Sequence, residues 1–327
     1  MNTKPFRKIA FYSAMLFGAL CHVSLISQHQ VNSWTYVEID DQKGKWGDYQ
    51  EPQWLRYFGI DAGDLNNDGY ADILNGRWVY LNPGGQMDGA WNKVDLGLNV
   101  DGILVMDVDG DQYADLIAQS LPGVYWLEAE DDQGRQGRSQ KIGEIPATSH
   151  VNSQGFAKAQ INQGGKEEFL IAGNGNIYCF QVPKKPEKED WPIDLVGNNT
   201  SDEGIGIGDI DGDGDLDFAA GRRPEGGDEP LIVVWYENPG EKAANWQDHV
   251  IGKTNHPADR VGVADLNGDN KADIVVCEER YPGLEPDGHI FWYEQGMDDE
   301  WQRHRIVTQY SINNLDLKDI DADGDID

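Results

Sequence analysis

Acidic side chains recur along the sequence in a nine-residue pattern that could bind a metal ion. The first copy is Asp64-Leu-Asn-Asn-Asp-Gly-Tyr-Ala-Asp72, and further copies begin at Asp107, Asp209, Asp265 and Asp319. Asp or Asn supplies an oxygen at positions one, three, five and nine, and the backbone carbonyl of position seven adds another. Ca²⁺ takes six to eight such hard oxygen ligands, so the pattern predicts five Ca²⁺ sites. The predicted side-chain ligands are Asp64, Asn66, Asp68, Asp72, Asp107, Asp109, Asp111, Asp115, Asp209, Asp211, Asp213, Asp217, Asp265, Asn267, Asp269, Asp273, Asp319, Asp321, Asp323 and Asp327.

The sixth position of each loop is expected to adopt a left-handed backbone, which glycine and asparagine tolerate. Gln112 breaks this rule in the second copy, so that loop is expected to be strained. A worn copy with Gln160, Asn162, Gly164 and Glu168 keeps the spacing but lacks the carboxylates, and we expect it to hold no ion. The residues that fit the sixth position are Gly69, Gly214, Asn270 and Gly324.

Solvated acidic turns are the alternative to metal sites. Five copies with one internal spacing favour metal binding over that alternative. The ions are expected to be structural, because each loop joins two predicted strands and would be pinned by its ion.

The loops belong to a longer repeat, whose copies lie 43 to 56 residues apart when the worn copy is included. Each period holds four short apolar runs; in one repeat they are Val261–Ala264, Ala272–Cys277, Ile290–Glu294 and Trp301–Ile306. Four short strands per period predict one blade of a β-propeller. The fold class is therefore expected to be all-β, with residues 28–327 forming a propeller of four-stranded blades.

Two details at the ends of the chain refine this prediction. Trp34 begins a fourth strand with no blade before it, so we expect that strand to complete the last blade and close the ring. The sequence ends at Asp327, the ninth position of a loop. The period then predicts a seven-bladed ring that is truncated at its C-terminus in this chain, with about 70 residues or more missing.

At this point the sequence resembles a known repeat. The run from Phe58-Gly59 through Asp72 resembles the FG-GAP/VCBS repeat of integrin α-subunit propellers and secreted bacterial proteins. The resemblance implies a Ca²⁺-binding propeller and covers about residue 55 to the end. The Trp-Tyr-Glu-Asn-Pro-Gly run at 235–240 resembles the propeller part of aldos-2-ulose dehydratase-like proteins. Propellers also occur among ulvan lyases, but no catalytic residue can be carried over from either group.

Composition limits the partners. The chain has 327 residues, with 58 Asp and Glu against 26 Lys and Arg and a formal net charge of −32. This acidity argues against nucleic acid and against an anionic membrane surface as partners. Residues 1–27 carry Lys4, Arg7 and Lys8 before an apolar run, which predicts a signal peptide or an N-terminal anchor. We therefore expect a secreted, periplasmic or cell-surface protein, with no membrane insertion beyond the leader.

A second candidate site lies at the opposite end of the blades. If the acidic loops lie where the first strands end, the residues before those strands and after the second strands meet on the other face. Six arginines fall there, and arginine binds carboxylate or sulfate in a bidentate manner. Tyr57, Tyr281 and Trp78 could stack on sugar rings. The predicted ligand-binding residues are Arg56, Tyr57, Arg77, Arg222, Arg223, Arg260 and Arg280.

Three functions remain open at this stage. The first is binding of a glycan, in particular an acidic polysaccharide, or adhesion. The second is a polysaccharide lyase or sugar dehydratase with His256 or His150 as base and Tyr281 as acid. The third is a scaffold for a protein partner. In addition, the arginines could simply pair with local acids and hold the blades together. The Trp-x-x-His pairs (Trp246 with His249, Trp301 with His304) are expected to pack at the outer edge.

Overall fold

The computed structural model describes residues 35–41, 57–111, 113–129, 131–222, 231–240, 245–280, 287–297, 300–309, 312 and 314–327. Within these ranges the chain forms strands and turns and contains no helix. None of the described segments is therefore a helix that could cross a bilayer. The leader, Trp34 and the sixth-position residue Gln112 lie outside the described residues. The strand predicted to begin at Trp34 is not formed in residues 35–41, where Asp40 instead contacts Tyr80 and Lys93 of sheet 1.

In the described part of the chain, twenty strands form five four-stranded antiparallel sheets, each built from four consecutive strands. Sheet 1 holds β1 (Ile60–Gly63), β2 (Asp72–Asn75), β3 (Trp78–Leu81) and β4 (Asn92–Asp95). Sheet 2 holds β5 (Asp101–Met106), β6 (Asp115–Ser120), β7 (Gly123–Ala129) and β8 (Gln136–Glu144). Sheet 3 holds β9 (Phe156–Ala159), β10 (Glu168–Gly173), β11 (Asn176–Phe180) and β12 (Ile193–Asn198).

The last two sheets follow the same plan. Sheet 4 holds β13 (Thr200–Gly208), β14 (Asp217–Arg222), β15 (Ile232–Glu237) and β16 (Gln247–Lys253). Sheet 5 holds β17 (Ala258–Ala264), β18 (Asp273–Glu278), β19 (Gly288–Gln295) and β20 (Trp301–Gln309). The all-β class and the four strands per repeat are confirmed.

Burial explains the residue types along each sheet. The second strands, such as β10 and β18, are buried on both faces and read as continuous apolar runs after their first acidic residue. The fourth strands, such as β20, are largely exposed and polar. Cys179 in β11 and Cys277 in β18 are buried, in sheets 3 and 5.

Apolar clusters fill the spaces between successive sheets. Phe169 and Phe180 of sheet 3 pack with Trp126 of sheet 2, and Phe218 of sheet 4 packs with residues of sheet 3. The first strand of each sheet contacts the first strand of the next, from β1 to β17. Each sheet thus hides one face against its neighbour, which a single four-stranded sheet cannot do alone.

Glycine permits the close approach of these first strands. A Cβ at Gly155, just before β9, would lie 1.8 Å from the carbonyl oxygen of Glu203 in β13. A Cβ at Gly59, before β1, would lie 1.8 Å from the carbonyl oxygen of Gly102 in β5. Both contacts are with backbone, so a larger residue forces the two sheets apart.

We expect Gly155→Ala to lower the free energy of unfolding by about 2 kcal/mol, because the added methyl group overpacks a backbone contact. Urea unfolding followed by tryptophan fluorescence measures this. Gln154→Ala is the matched control, since the backbone N–H of Gln154 donates to Asp202 whatever its side chain. Equal stability of the two variants would contradict the proposed contact.

Candidate functional site

Four of the acidic loops lie between the first and second strands of a sheet, as predicted, and the fifth, from Asp319, follows the last described strand. In sheet 1 the Asp64 carboxylate accepts hydrogen bonds from the backbone N–H groups of Asp68 and Gly69, at 3.0 and 2.8 Å. Asp68 in turn accepts from the N–H of Tyr70 at 2.9 Å. The carboxylates therefore fold the loop around themselves and bring several oxygens together.

The ninth-position aspartate fastens the loop to the sheet. Asp72 opens β2 and is fully buried. Its carboxylate accepts from the N–H of Leu65 in the loop and from the N–H of Asn82 after β3, at 2.9 and 2.7 Å. Asp115, Asp217 and Asp273 make the same two bonds in their own sheets. A change at this position is therefore expected to disturb both the loop and the sheet.

Carboxylate oxygens converge in three of the loops, where ligand atoms of three aspartates lie within 4.8 Å of one another. Burial raises the pKa of Asp217 to about 7, and repulsion from Asp211 adds to the shift. The first and fourth loops carry asparagine at the third position and so bring fewer carboxylates together. Clustered, partly buried oxygens of like charge are the donor set that a divalent cation neutralises. The three clusters are Asp107 with Asp109 and Asp115, Asp209 with Asp211 and Asp217, and Asp319 with Asp321 and Asp327.

Backbone angles confirm the prediction for the sixth position. Gly69, Gly214, Asn270 and Gly324 all have positive φ, between 65° and 98°. Sequence reasoning missed the fourth position, which is also left-handed in every described loop. Glycine stands there in three copies, but asparagine and alanine in the others hide the signal. The fourth-position residues are Asn67, Gly110, Gly212, Gly268 and Ala322.

The worn loop of sheet 3 is held by its own side chains. Glu168 accepts from the N–H groups of Ile161 and Asn162 and from the Asn162 side-chain amide, at 3.0, 3.2 and 2.9 Å. The Lys166 ammonium donates to the carbonyl oxygen of Val108 in the neighbouring loop. A lysine thus brings a positive charge to a loop that has lost most of its carboxylates, consistent with the expectation of no ion.

The other end of the sheets carries the residues predicted to bind a ligand. The turn between β2 and β3 lies beside the beginning of β1, because the N–H of Gly76 donates to the carbonyl of Gly59 at 3.0 Å. This end is opposite to the acidic loop, since Gly63 at the end of β1 pairs with Asp72. Arg56, Arg223 and Tyr281 lie outside the described residues.

Three of the described arginines at this end have acidic partners. Arg77 makes a two-point contact with Asp95 of β4, at 2.7 and 2.9 Å. Arg222, at the end of β14, donates to Asp248 of β16. The first pair ties the turn after a second strand, and the second pair the end of a second strand, to the fourth strand of the same sheet. Arg280 follows β18 and is partly buried. Arg260 reaches a carboxylate of the preceding sheet, as described next.

A strand-start cluster connects residues of sheets 1, 4 and 5 and the segment before sheet 3. The rings of Tyr57 and Trp78 meet edge to face, with centroids 5.3 Å apart. The ring of Phe58 meets the imidazole of His150 in the same manner, at 6.1 Å. His150 also lies beside charged residues of β13 and β17, the first strands of sheets 4 and 5. The cluster comprises Tyr57, Phe58, Trp78, His150, Glu203, Asp259 and Arg260.

The charged part of this cluster crosses from β13 to β17. The His150 Nε2 lies 3.8 Å from Oε1 of Glu203, and the Arg260 Nη1 lies 3.7 Å from Oε2 of Glu203. Arg260 also donates to Oδ1 of Asp259 at 2.7 Å. Oε2 of Glu203 and Oδ2 of Asp259 are buried and accept no hydrogen bond from the described residues. Buried carboxylate oxygens without donors are costly, so this group stands ready to accept hydrogen bonds from a ligand.

Electrostatics add to the strain at this group. Burial raises the pKa of Glu203 to about 7, and the charges of Asp259, Glu279 and Asp202 raise it further against the opposing charge of Arg260. Burial likewise raises the pKa of Asp259 to about 6, with Glu279 adding to the shift. One or both carboxyls are therefore partly protonated near neutral pH and can donate as well as accept a hydrogen bond.

Several acidic residues at this end of the sheets hold the backbone instead. Asp101 is fully buried and accepts from the N–H groups of Phe58 and Gly59, at 3.1 and 3.0 Å, which ties sheet 1 to sheet 2. Glu278 accepts from the N–H of His256 at 3.1 Å and from His289. The His256 Nε2 is buried and has no hydrogen-bond partner in the part of the chain that the structure describes. Of the two candidate bases, His150 is the one that joins the strand-start cluster.

No protein-family model and no curated protein matches this chain. Among solved structures it is similar to the V. cholerae biofilm matrix protein Bap1, with 19% identity, 80% of this chain and 40% of that chain covered, and a TM-score of 0.44. It is also similar to an Agrocybe aegerita lectin that recognises non-reducing terminal N-acetylglucosamine, with 13% identity, 77% and 80% covered, and a TM-score of 0.38. A third is the Photorhabdus luminescens Tc holotoxin pore, with 13% identity, 82% and 13% covered, and a TM-score of 0.38. The chain thus spans 40% of the length of Bap1.

Proposed function

We propose that this chain is a secreted, calcium-stabilised β-propeller that binds carbohydrate through the strand-start cluster. The sheet-to-sheet packing of first strands supports the propeller, with the five sheets as blades. Leu317 lies against Gly262 of β17, in the place where the first strand of a sixth blade belongs. The resemblance to FG-GAP/VCBS repeats is part of this proposal, as is closure into a seven-bladed ring.

Calcium binding is supported by the donor set. Each of the five loops offers aspartate and asparagine oxygens at the same positions, on a backbone whose fourth and described sixth positions are left-handed. The oxygens are hard and anionic, which suits Ca²⁺ better than softer transition metals. The ions would be held by the side chains named above and would neutralise charge at one end of the sheets.

One observation carries the carbohydrate proposal: His150 lies against the aromatic ring of Phe58, with centroids 6.1 Å apart, and 3.8 Å from the under-bonded carboxylate of Glu203. Trp78 and Tyr57 offer apolar ring surface, and Glu203 and Asp259 offer buried acceptors beside Arg260. Sugars present apolar ring faces together with hydroxyl donors, so this pairing fits them. Since Arg77, Arg222 and Arg260 already hold carboxylates, an anionic glycan must compete with those pairs.

Retention on immobilised glycans in calcium buffer tests this function. The panel holds neutral, amino and acidic polysaccharides. We expect Arg260→Ala to weaken retention at least tenfold, because it removes a charged donor that orders the two carboxylates. Arg138→Ala is the matched control, since Arg138 pairs with Glu128 of β7, outside the cluster.

Melting curves in the same buffer show whether each variant is folded, and Arg260→Lys keeps the charge where the alanine variant fails to fold. Unchanged retention by folded Arg260 variants would remove the cluster from glycan binding. Retention on acidic polysaccharides alone would support the anionic preference expected from the arginines. Failure of the wild type to bind any glycan would leave a protein-binding scaffold as the better function.

An enzyme is the second candidate, favoured by the contact between His150 and Glu203. A carboxylic acid with a pKa of about 7 next to an imidazole is a usable acid–base pair. A lyase acting on uronates would produce an unsaturated sugar, which absorbs in the ultraviolet. Absorbance that rises with wild type and not with His150→Ala would establish this chemistry.

A further inference from the structure

The Trp-x-x-His motifs lie on the fourth strands, as predicted, but their histidines do more than pack there. In sheet 5 the Nε2 of His304 lies 2.7 Å from Oε2 of Glu294, and its ring packs on Trp292 with centroids 4.7 Å apart. His304 and Trp292 stand opposite each other in the register of β19 and β20. Glu294 is thus anchored by the outer strand of its own sheet.

The other oxygen of Glu294 reaches the acidic loop. Oε1 accepts from the side-chain amide nitrogen Nδ2 of Asn267, at 3.2 Å. Asn267 is the third-position residue of the loop that begins at Asp265. Its Oδ1 accepts from the N–H of Asp269 at 3.0 Å, inside the loop. Glu294 therefore takes the nitrogen side of this amide and leaves the oxygen directed into the loop.

Sheet 4 repeats the arrangement with one change. The Nε2 of His249 lies 2.8 Å from Oε2 of Glu237, and the imidazole stacks on Trp235 at 4.4 Å with planes 15° apart. The third-position residue of this loop is Asp211. Glu237 follows Trp235 by two residues on β15, as Glu294 follows Trp292 on β19. Glu237 thus adds an anionic charge at the place where Glu294 accepts an amide.

Sheet 2 lacks this device. Gln140 stands opposite Trp126 where the histidine stands in sheets 4 and 5. Glu128 ends the corresponding run of β7 and meets Arg138 at 3.5 Å, so an arginine neutralises it. The histidine–glutamate pair is consequently a property of two sheets and is not required by the fold of the repeat.

We propose that Glu237 and Glu294 are positioning residues for the ions of the loops beginning at Asp209 and Asp265, and that His249 and His304 hold them in place. The inference rests on the proposed calcium binding. Glu294 turns the oxygen of Asn267 toward the ion, whereas Glu237 strengthens the negative field around Asp211. Glutamate can act in both loops in different ways. It accepts a hydrogen bond where the third position is an amide, and it adds negative charge where the third position is a carboxylate.

Calcium titration of the full chain by calorimetry tests the sheet 5 arm, together with melting temperatures in Ca²⁺ and in EDTA. We expect His304→Ala to lower the affinity of one calcium site about tenfold, which is the usual effect of losing a residue that orients a metal ligand. His304→Gln, which keeps a side-chain donor, restores part of the affinity. Gln302→Ala is the matched control on the same strand, at an exposed residue opposite Glu294.

The outcomes separate this inference from the calcium proposal itself. If the wild type releases no heat on calcium addition and melts at the same temperature with and without calcium, the proposed calcium binding is overturned. A wild type that binds calcium, with His304→Ala of equal affinity, overturns the positioning role alone. A melting temperature lowered equally in Ca²⁺ and in EDTA, with affinity unchanged, means that His304 only packs at the edge and also overturns it.

Sheet 4 gives a test of opposite sign. Glu237→Gln removes a charge beside Asp211, so we expect the calcium-free protein to melt at an equal or higher temperature while calcium affinity falls about tenfold. A purely structural role of Glu237 would lower the melting temperature without calcium. That result, or an unchanged affinity, would count against the proposal.

Discussion

Chelation of calcium is expected to lower the melting temperature of this protein by more than 10 °C. An ion that binds only the folded chain adds about 2.7 kcal/mol when its concentration is 100 times its Kd. Five such ions add over 10 kcal/mol, and about 1 kcal/mol moves the melting temperature of a chain of this size by 2–4 °C. Melting curves recorded by circular dichroism in Ca²⁺ and then in EDTA measure the difference.

The loop of sheet 4 provides the control for this prediction. Asp213→Asn removes a charge from the fifth position, where the side chain is a predicted ligand, and should reduce the stabilisation by calcium. Asp215→Asn makes the same change at the seventh position, where only the backbone carbonyl is a ligand, and should not. Mg²⁺ in place of Ca²⁺ should stabilise weakly, because it demands a smaller octahedral site. Identical melting in Ca²⁺ and EDTA would mean that the loops are solvated acidic turns.

Periodicity explains why the fold could be predicted so far from sequence. The nine-residue acidic motif recurs together with the four apolar runs around it, so each repeat tests the same strand assignment independently. Glycine or asparagine at position six identifies the turn. The left-handed fourth position was missed because Asn67 and Ala322 break the glycine pattern there. The close approach of Gly155 to Glu203 was also beyond prediction, since it depends on how one sheet lies against the next.

The site was harder to predict because partners lie on other strands. The sequence places Arg77 and Arg222 at the correct end of the sheets, but their partners Asp95 and Asp248 stand on fourth strands, whose register only the folded chain fixes. Asp101 shows the converse problem. A carboxylate at the beginning of a first strand suggests a ligand-binding group. The Asp101 carboxylate instead accepts hydrogen bonds from the backbone N–H groups of Phe58 and Gly59, just before sheet 1.

Glu203→Gln is expected to stabilise the protein and to weaken its retention on glycan. The folded-state pKa of Glu203 is about 7, above the ordinary 4.5. Its ionised form therefore costs stability: the favourable protonated state is fully present below about pH 4.5 and is lost as the pH rises through 7. The difference between the two pKa values lowers the free energy of unfolding by about 3 kcal/mol at pH 8 and by less than about 1 kcal/mol at pH 5. Urea unfolding in calcium buffer at the two pH values measures it.

The same variant should lose at least tenfold in glycan retention, because glutamine cannot present a carboxylate beside Arg260. Glu128→Gln, which pairs with Arg138 outside the cluster, should change neither quantity appreciably. A residue that costs stability in the folded chain and supports binding is what a ligand site contains, whereas a structural ion pair loses stability when it is neutralised. If Glu203→Gln destabilises the chain at pH 8, the ion pair between Glu203 and Arg260 is a structural link between sheets 4 and 5.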